Sequence, residues 1–343
     1  MSRYLGALSR EIELLGAAPW AAALTVETIF LGGGTPSLLE VGEMEAVMGA
    51  LRGAFAVDAD AEVTVECNPE SVTREKLAGY RAAGVNRISL GVQSLDDAIL
   101  PAIGRLHTAA EARAAFEAAR GGGFSNVSVD LIYGLPALTA ESWRSTVDGV
   151  LAWGPEHVSA YGLTLDPGSV WGSSGVPGLP DEGAVIAHYW TMAERARAHG
   201  YEHYEISNYA RPGARSRHNQ IYWRRREYLA CGPGAAGFLG DVRYTNVKPV
   251  ARYSQLLEDG RLPIDAWEQL TTRQALAESL ILGLRTADGV ETSRLDARTA
   301  DDPALTRRLA AWRDQALLVD EGSRSRLTES GFLLSDALFV DLL

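Results

Sequence analysis

Short apolar runs alternate with amphipathic helical patterns along the first two thirds of the chain. The apolar runs predict strands at 25–31, 62–67, 87–92, 126–131, 157–163 and 203–207. Apolar residues at helical spacing predict helices at 4–16, 41–54, 71–83, 108–120, 139–152 and 181–199. Repeated strand–helix units of this kind favour a parallel sheet with right-handed crossovers.

Polar residues stand at the ends of successive predicted strands. Glu66, Gln93 and Asp130 end the second, third and fourth strands, and a glycine turn at 32–34 follows the first. In a parallel β/α barrel the carboxyl ends of the strands converge on one mouth, so these residues should line a single pocket. An open doubly wound sheet is the alternative, but it concentrates ligand contacts at one switch point. We therefore predict an α/β fold with a partial (β/α) TIM-type barrel.

The pattern changes from about residue 245. Helices are predicted at 272–286 and 303–317, and a helix at 329–342 follows Arg326-Leu327-Thr328. This arrangement is typical of a small helical or winged module. We predict two domains, a partial barrel at 1–244 and a helical, winged-helix-like domain at 245–343. Because the second domain has no basic recognition helix, a packing or lid role is favoured over DNA binding.

Composition and charge limit the partners. The 343 residues include 44 acids against 32 Lys and Arg, for a net charge of −12. Nucleic-acid binders usually show the opposite balance, so we expect no nucleic-acid partner. Apolar runs fall far short of the ~20 residues that a membrane span requires, and residues 1–20 contain no signal-peptide core. We expect a cytoplasmic protein with at most peripheral contact with a membrane.

The chain has two cysteines, Cys67 and Cys231. Their separation excludes a disulfide framework and a CxxC metal knuckle. Cys67 follows Glu66 in a predicted strand, so if Glu66 faces the barrel interior, Cys67 faces the helices. A buried, inert thiol is therefore expected at Cys67.

Seven motifs occur in one order along the chain: GGGTPSLL (32–39), VECNPESV (65–72), NRISLGVQSLDD (86–97), GRLH (104–107), VDLIYGLP (129–136), YEISNYARPG (204–213) and HNQIYW (218–223). Together they closely resemble the radical SAM group of oxygen-independent coproporphyrinogen III oxidases and their relatives, the HemW-type haem chaperones. The resemblance runs from about residue 4 to the C-terminus. It implies a radical SAM partial barrel, here with the first strand missing.

The resemblance also implies a set of S-adenosylmethionine contacts: Gly33, Gly34, Thr35, Glu66, Gln93, Arg105, Asp130 and Thr164. The residue types suit this ligand, because a glycine turn allows close backbone approach. Glu66 can bind the ammonium group, Arg105 can hold the carboxylate by a forked pair, and Asp130 can accept from the ribose hydroxyls. For each residue alone, a tight turn or a helix cap is an equal alternative, but the whole set favours a pocket.

The segment His218-Asn219-Gln220-Ile221-Tyr222-Trp223 matches the HNxxYW sequence of the haem-chaperone branch. The resemblance implies that His218 ligates haem iron and that Tyr222 and Trp223 contact the porphyrin. Six arginines and no acid lie between residues 211 and 226. This local positive charge suits the two propionate groups of haem. The alternative is a solvated basic loop with a histidine that only forms hydrogen bonds.

The main departure of the sequence from the family concerns the cluster-binding cysteines. Radical SAM enzymes hold a [4Fe–4S] cluster with three cysteines, CxxxCxxC, on the loop after the first strand. Cys67 and Cys231 are too far apart to replace these ligands, so we expect this chain not to bind the cluster. An internal start at Met1 and a lineage that lost the cluster are the competing explanations, and the intact downstream set favours truncation.

Three hypotheses follow. The first is a haem-binding chaperone that holds haem and delivers it to a recipient protein in porphyrin or haem metabolism. The second is an oxidoreductase similar to coproporphyrinogen III oxidase that uses S-adenosylmethionine, which would require the missing cluster. The third is a cluster-less, degenerate barrel that binds a small ligand or a partner without chemistry. The HNxxYW segment favours the first, and the missing cysteines leave the question of enzymatic activity open.

Overall fold

Five parallel strands form the centre of the fold. The computed structural model describes residues 2–168, 170–300 and 302–342. Its main sheet contains β1 (Thr25–Leu31), β2 (Ala56–Cys67), β3 (Arg87–Gln93), β4 (Val127–Tyr133), β5 (His157–Gly162), β6 (Glu202–Glu205) and β7 (Asn208–Ala210). The spatial order is β1-β2-β3-β4-β5-β7-β6, and the first five strands run parallel. With β1 and β6 at opposite edges, the sheet is an open half-barrel, as the sequence predicts.

The prediction of one sixth strand at 203–207 is wrong. The chain instead forms two short strands, β6 and β7, which pair antiparallel, and β7 pairs antiparallel with β5. The turn between them is closed by the side-chain amide of Asn208, which donates to the buried carboxylate of Glu205. This contact between side chains three positions apart thus stabilises a chain reversal that contains no glycine or proline.

Helices precede or connect these strands: α1 (Ser2–Gly16), α2 (Val41–Ala54), α3 (Arg74–Ala82), α4 (Ala109–Gly121), α5 (Ala140–Trp153), α6 (Val170–Ser174) and α7 (Glu182–Ala198). Buried side chains of α2, α3, α4, α5 and α7 form the apolar core on the convex face of the sheet. Short 3-10 helices lie at Ala21–Ala23, Pro36–Leu38, Pro69–Ser71 and Leu100–Ile103. Thr108, Thr139 and Asp181 cap the N-termini of α4, α5 and α7 through side-chain oxygens that accept backbone N–H groups.

The two faces of the half-barrel differ in chemistry because successive residues of a strand point to opposite sides. In β2, Val63, Val65 and Cys67 belong to the apolar core beneath the helices, and Cys67 is only 3% exposed. The alternate residues Thr64 and Glu66 face the concave side. The prediction of a buried Cys67 thiol is confirmed, and the concave face carries the polar residues.

A second sheet, which the sequence analysis did not predict, follows the half-barrel. After α8 (Arg217–Trp223), strands β8 (Ala236–Leu239), β9 (Val242–Asn246) and β10 (Ile264–Gln269) pair antiparallel, with α9 (Val250–Glu258) before β10. The predicted domain boundary after residue 244 falls within β9. The division of the chain into two independently folding domains at this boundary stays a prediction.

The last part of the chain is a small helical and winged module, in agreement with the predicted fold class. It contains α10 (Thr272–Leu284), β11 (Val290–Glu291), α11 (Thr292–Thr299), α12 (Pro303–Asp314), β12 (Leu318–Glu321), β13 (Arg324–Leu327), α13 (Glu329–Leu333) and α14 (Ser335–Val340). Its three strands pair in the order β11-β13-β12. Leu280, Leu309, Trp312 and Phe332 are among the residues of its own apolar core. Within the described ranges, no helix is long and apolar enough to cross a membrane.

The buried carboxylate of Glu11 joins α1 to the second sheet and to α9. Glu11 is 1% exposed and accepts hydrogen bonds from the Gly232 backbone N–H at 2.7 Å and the Asn246 side-chain amide at 2.6 Å. The Tyr253 hydroxyl of α9 donates to the same carboxylate. Burial raises the pKa of Glu11, and these three hydrogen bonds oppose the shift.

Candidate functional site

The glycine turn after β1 lies against the carboxylate at the end of β2. The backbone N–H of Gly33 donates to Oε2 of Glu66 at 3.1 Å, and Gly33 has a positive φ of 81°. A Cβ at Gly32 would lie 2.9 Å from the Glu66 carboxyl group, so a side chain there would collide with it. Gly33 and Gly34 instead border open space. The turn thus presents unobstructed backbone beside a carboxylate.

Glu66 and Asp130 lie close enough to influence each other's ionisation. Burial raises the pKa of Glu66, the Gly33 hydrogen bond opposes this rise, and the charge of Asp130 adds to it. Burial likewise raises the pKa of Asp130, and the nearby hydroxyls of Ser159 and Ser89 oppose this rise. The two carboxylates therefore share one end of the concave face.

Asp130 has one oxygen engaged and one free. The Ser89 hydroxyl donates to Oδ2 at 2.8 Å, whereas the buried Oδ1 has no hydrogen-bond partner in the described part of the chain. A buried acceptor without a donor costs free energy, so this oxygen suits a hydroxyl-bearing ligand.

Gln93 ends β3 in an unusual conformation. Its φ is +65°, and the β3–β4 register shifts between Gly91 and Gln93. The side-chain amide folds back over Gly91, where a Cβ would lie 2.8 Å from Nε2. Arg105 donates from Nη1 to Oδ1 of Asn68 at 3.1 Å beside this group. Bulges and left-handed residues of this kind often re-aim a side chain at a functional site.

Among the described residues, no side-chain hydrogen bond joins Thr35 or Thr164, the other two predicted S-adenosylmethionine contacts, to this cluster. Thr35 precedes the 3-10 helix Pro36–Leu38 and offers no side-chain cap to it. Thr164 is exposed in the segment after β5, where its hydroxyl lies 3.5 Å from the carbonyl of Gly162. The structure thus brings together the glycine turn, Glu66, Gln93, Arg105 and Asp130, while Thr164 stays at the rim.

The helix α8, which carries His218, is anchored on the concave side of β2. Ser216 caps α8 by accepting from the Asn219 backbone N–H. Both carboxylate oxygens of Glu62 accept backbone N–H groups, from Arg217 at 3.1 Å and from His218 at 2.9 Å. A carboxylate at a helix N-terminus is favoured electrostatically, and here it also fixes α8 against the sheet.

The His218 ring is enclosed by three side chains. Its Nδ1 lies 2.8 Å from the Thr28 hydroxyl of β1, and its Nε2 lies 2.7 Å from the Tyr222 hydroxyl. The Phe30 ring stacks on the imidazole with centroids 5.0 Å apart. Both ring nitrogens are therefore engaged by uncharged hydroxyls.

The ionisation of His218 and Tyr222 follows from their burial. Burial, followed by the positive charge of Arg87, lowers the pKa of His218 to about 4. Burial raises the pKa of Tyr222 to about 12. At neutral pH the imidazole is thus uncharged and the phenol keeps its proton, and an uncharged imidazole is the form that binds metals.

Trp223 points away from His218, toward the C-terminal module. The guanidinium of Arg285 lies 4.6 Å from its ring centre, and its indole N–H is buried without a partner in the described residues. A cleft of about 230 Å³ separates this part of α8 from α10 and β11. His218 and Tyr222 are therefore together, and Trp223 lies on another side of the helix.

The arginines around α8 are largely neutralised by acids from distant segments. Arg215 pairs with Glu202 and Asp288, Arg225 with Asp241 and Glu278, and Arg226 with Glu27. The local positive charge that the sequence indicates is thus mostly used in ion pairs. These pairs fasten α8 to β1, to β6 and to the C-terminal module.

Both cysteines carry thiols that resist ionisation. Burial raises the pKa of Cys67 to about 12 and also raises that of Cys231, so both thiols stay protonated. No group of three or more His, Cys, Asp or Glu side chains in the described residues is arranged to hold a metal ion.

Sequence reasoning missed several residues of both sites. Asn68, Ser89 and Gly91 continue the alternation that picked out Glu66 and Gln93, so their spacing could have revealed them. Thr28 and Glu62 gave no such signal, because their partner His218 lies more than 150 positions away.

The half-barrel that carries a glycine turn, Glu66, Gln93 and Asp130 on its concave face is the scaffold of the radical SAM class. The radical SAM superfamily model matches residues 10–149, and the HemN C-terminal domain model matches residues 270–334. The solved structure of Escherichia coli coproporphyrinogen III oxidase (HemN), a radical SAM enzyme, has a TM-score of 0.86. At 24% identity, over 99% of this chain and 82% of that chain, this likeness shows the fold.

Curated relatives cover nearly the whole chain. Heme chaperone HemW of Mycobacterium tuberculosis (strain ATCC 25618 / H37Rv) is 38% identical over 344 residues, which is 99% of this chain and 86% of the relative. Heme chaperone HemW of Bacillus subtilis (strain 168) is 34% identical over 348 residues, 99% of this chain and 90% of the relative. The chain belongs to the HemW heme chaperone family.

Proposed function

We propose that this chain is a haem-binding chaperone on a radical SAM scaffold that passes haem to a recipient protein. The observation that carries the proposal is the similarity to curated heme chaperones over 99% of the chain. His218 supports it, because the imidazole is uncharged and its ring nitrogens contact only hydroxyl groups. An uncharged imidazole is a common axial ligand of haem iron.

We also propose that the pocket at the strand ends binds S-adenosylmethionine. Glu66 would bind the ammonium group, Asp130 would accept from the ribose hydroxyls through its free Oδ1, and the open turn at Gly33 and Gly34 would admit the ligand. Together with a cluster, this ligand supplies radical chemistry in the superfamily. The described residues contain no fitting cluster ligands, so no step of the proposal passes through a cluster.

Haem binding is tested by titrating ferric haem into the purified protein and recording the Soret band. The expected result is a shifted Soret band for the wild type, which is lost in His218→Ala. His199→Ala is the matched control, because His199 is exposed at the end of α7 and its ring lies within hydrogen-bonding distance of the Arg195 carbonyl. It should give the wild-type spectrum.

Two results would contradict the proposal at different points. A wild-type protein that leaves the haem spectrum unchanged would remove haem binding as the function. A His218→Ala protein with the full wild-type shift would keep haem binding but remove His218 as the iron ligand.

A further inference from the structure

The His218 imidazole offers no free nitrogen in this conformation. An uncharged imidazole has one N–H donor and one lone pair, and only the lone pair can bind iron. Here Nδ1 contacts the Thr28 hydroxyl at 2.8 Å and Nε2 contacts the Tyr222 hydroxyl at 2.7 Å. Haem therefore has to displace one of these two hydroxyls before it can be ligated.

The chemistry of the two hydroxyls favours Nε2 as the nitrogen that carries the lone pair. A tyrosine hydroxyl readily donates its single proton, and the Tyr222 hydroxyl points at Nε2. Nε2 then accepts, and the ring proton lies on Nδ1, which donates to the oxygen of Thr28. A hydrogen bond to the far nitrogen is also how proteins orient metal-binding histidines.

The two hydroxyls differ in how easily they can move. Thr28 is part of β1, which is paired along its length with β2. Tyr222 lies on α8, one turn from His218, and its ring makes edge contacts with His218 and Tyr228 at centroid distances of 4.9 and 4.6 Å. Rotation of the Tyr222 side chain frees Nε2 without disturbing the sheet.

We propose that Tyr222 is a displaceable occupant of the haem-binding nitrogen of His218, and that Thr28 is the positioning residue that fixes this imidazole. The inference rests on the proposed function, because it assigns roles to neighbours of the haem ligand. Loading exchanges the O–H···N hydrogen bond of Tyr222 for an Fe–N bond, and the water or anion that held this coordination position of the ferric iron leaves to solvent. Haem entry is thereby limited to molecules in which Tyr222 has turned away.

The consequence is an apparent haem affinity below the intrinsic affinity of His218. When only a fraction of the molecules is competent to bind, the apparent affinity falls by that fraction. Tyr222→Phe removes the hydroxyl and keeps the ring, so haem should bind about 2- to 10-fold more tightly, as one hydrogen bond is no longer lost. Thr28→Val should weaken binding, and Thr28→Ser should restore it.

The experiment compares ferric haem titrations of the wild type with these three variants. Tyr228→Phe is the matched control, because Tyr228 packs against Tyr222 but forms no hydrogen bond with His218 among the described contacts. Its affinity should equal that of the wild type. If haem binding depends on His218 but Tyr222→Phe binds haem no more tightly than the wild type, the inference is overturned and the proposed function stands. Failure of the wild type to bind haem would overturn both.

A second measurement needs no haem. Nitrogen-detected NMR of the histidine rings in the haem-free protein reports which nitrogen of His218 carries the proton. We expect the proton on Nδ1 in the wild type and in Tyr222→Phe, and on Nε2 in a folded Thr28→Val protein. A proton on Nε2 in the wild type would overturn the assignment, because Tyr222 would then be accepting rather than donating.

Discussion

The backbone N–H of Gly33 donates to the carboxylate of Glu66 at 3.1 Å, which joins the turn after β1 to the end of β2. This hydrogen bond holds the exposed, unobstructed backbone of the turn beside the half-buried carboxylate of Glu66. It also leaves Oε1 of Glu66 available for a cationic group. The arrangement makes Glu66 the first residue to change in a test of the pocket.

Replacing Glu66 with Gln should weaken S-adenosylmethionine binding by about 10- to 100-fold, because a hydrogen bond to a charged group is lost. Isothermal calorimetry measures the change directly. The control is Glu45→Gln, an exposed acid on α2, which should bind like the wild type. Equal affinity of the Glu66→Gln protein and the wild type would exclude Glu66 as the ammonium-binding residue.

The positive φ of Gln93 predicts an unusual order of stabilities. Gln93→Val should lower the free energy of unfolding by about 1–2 kcal/mol, because a β-branched residue is strained in the left-handed region. Gln93→Gly should be neutral or stabilising, since glycine adopts this region freely. Urea unfolding of both variants tests the order. A Val variant as stable as the Gly variant would show that the backbone relaxes at this position.

Glu11→Ala should destabilise the protein by about 2–4 kcal/mol, because three buried donors lose their acceptor. Tyr253→Phe removes only one of the three bonds and should cost about 1 kcal/mol. Glu13→Ala, on the exposed face of the same helix, should stay within about 0.5 kcal/mol of the wild type. Denaturant unfolding gives all three values. A Glu11→Ala change as small as that of Glu13→Ala would mean that water replaces the lost carboxylate.

Glu329 predicts a pH-dependent contribution to stability. Its contact with His203 and its ion pair with Arg197 lower its pKa from 4.5 to about 2, against burial. The pKa of Glu329 is lower in the folded protein than in the unfolded chain. The stabilisation is therefore complete above pH 4.5 and disappears as the pH falls through about 2. Arg197 is 59% exposed, so solvent screening limits the effect to about 1 kcal/mol.

The measurement is the unfolding free energy of the wild type and Glu329→Gln over this pH range. The difference between them should be constant near neutral pH and shrink between 4.5 and about 2. Glu321→Gln, which removes a more exposed acid, should show a smaller difference throughout. A wild-type advantage that persists below pH 2 would attribute the effect to packing rather than to charge.

Local alternation explains why much of the pocket could be predicted from the sequence. Glu66 lies at the end of β2, as predicted, whereas Asp130 lies in the middle of β4 and does not end it. Both stand at the expected period, and parallel pairing through β3 brings them to the same face. Cys67, one position after Glu66, lies in the core for the same reason. Patterns that repeat every two residues are visible without knowledge of the fold.

The surroundings of His218 could not be predicted, because they depend on pairs that only the folded chain brings together. Thr28 and His218 are 190 positions apart, and Glu27 and Arg226 are 199 positions apart. Six arginines without a neighbouring acid therefore indicate a basic surface in the sequence, whereas four of them form ion pairs in the structure. The split of the sixth strand likewise depends on one side-chain contact, between Glu205 and Asn208.

The Glu11 contacts also affect how the chain folds during its synthesis. Tyr253 lies 242 positions after Glu11, and at 5–20 residues per second the ribosome needs about 10–50 seconds to cover that distance. For that time Ala7 of α1 lacks its later apolar partners Val247, Leu256 and Leu257, and this side of the helix is open to chaperones or to misassociation. One side of a helix made early in translation is thus among the last surfaces to be covered.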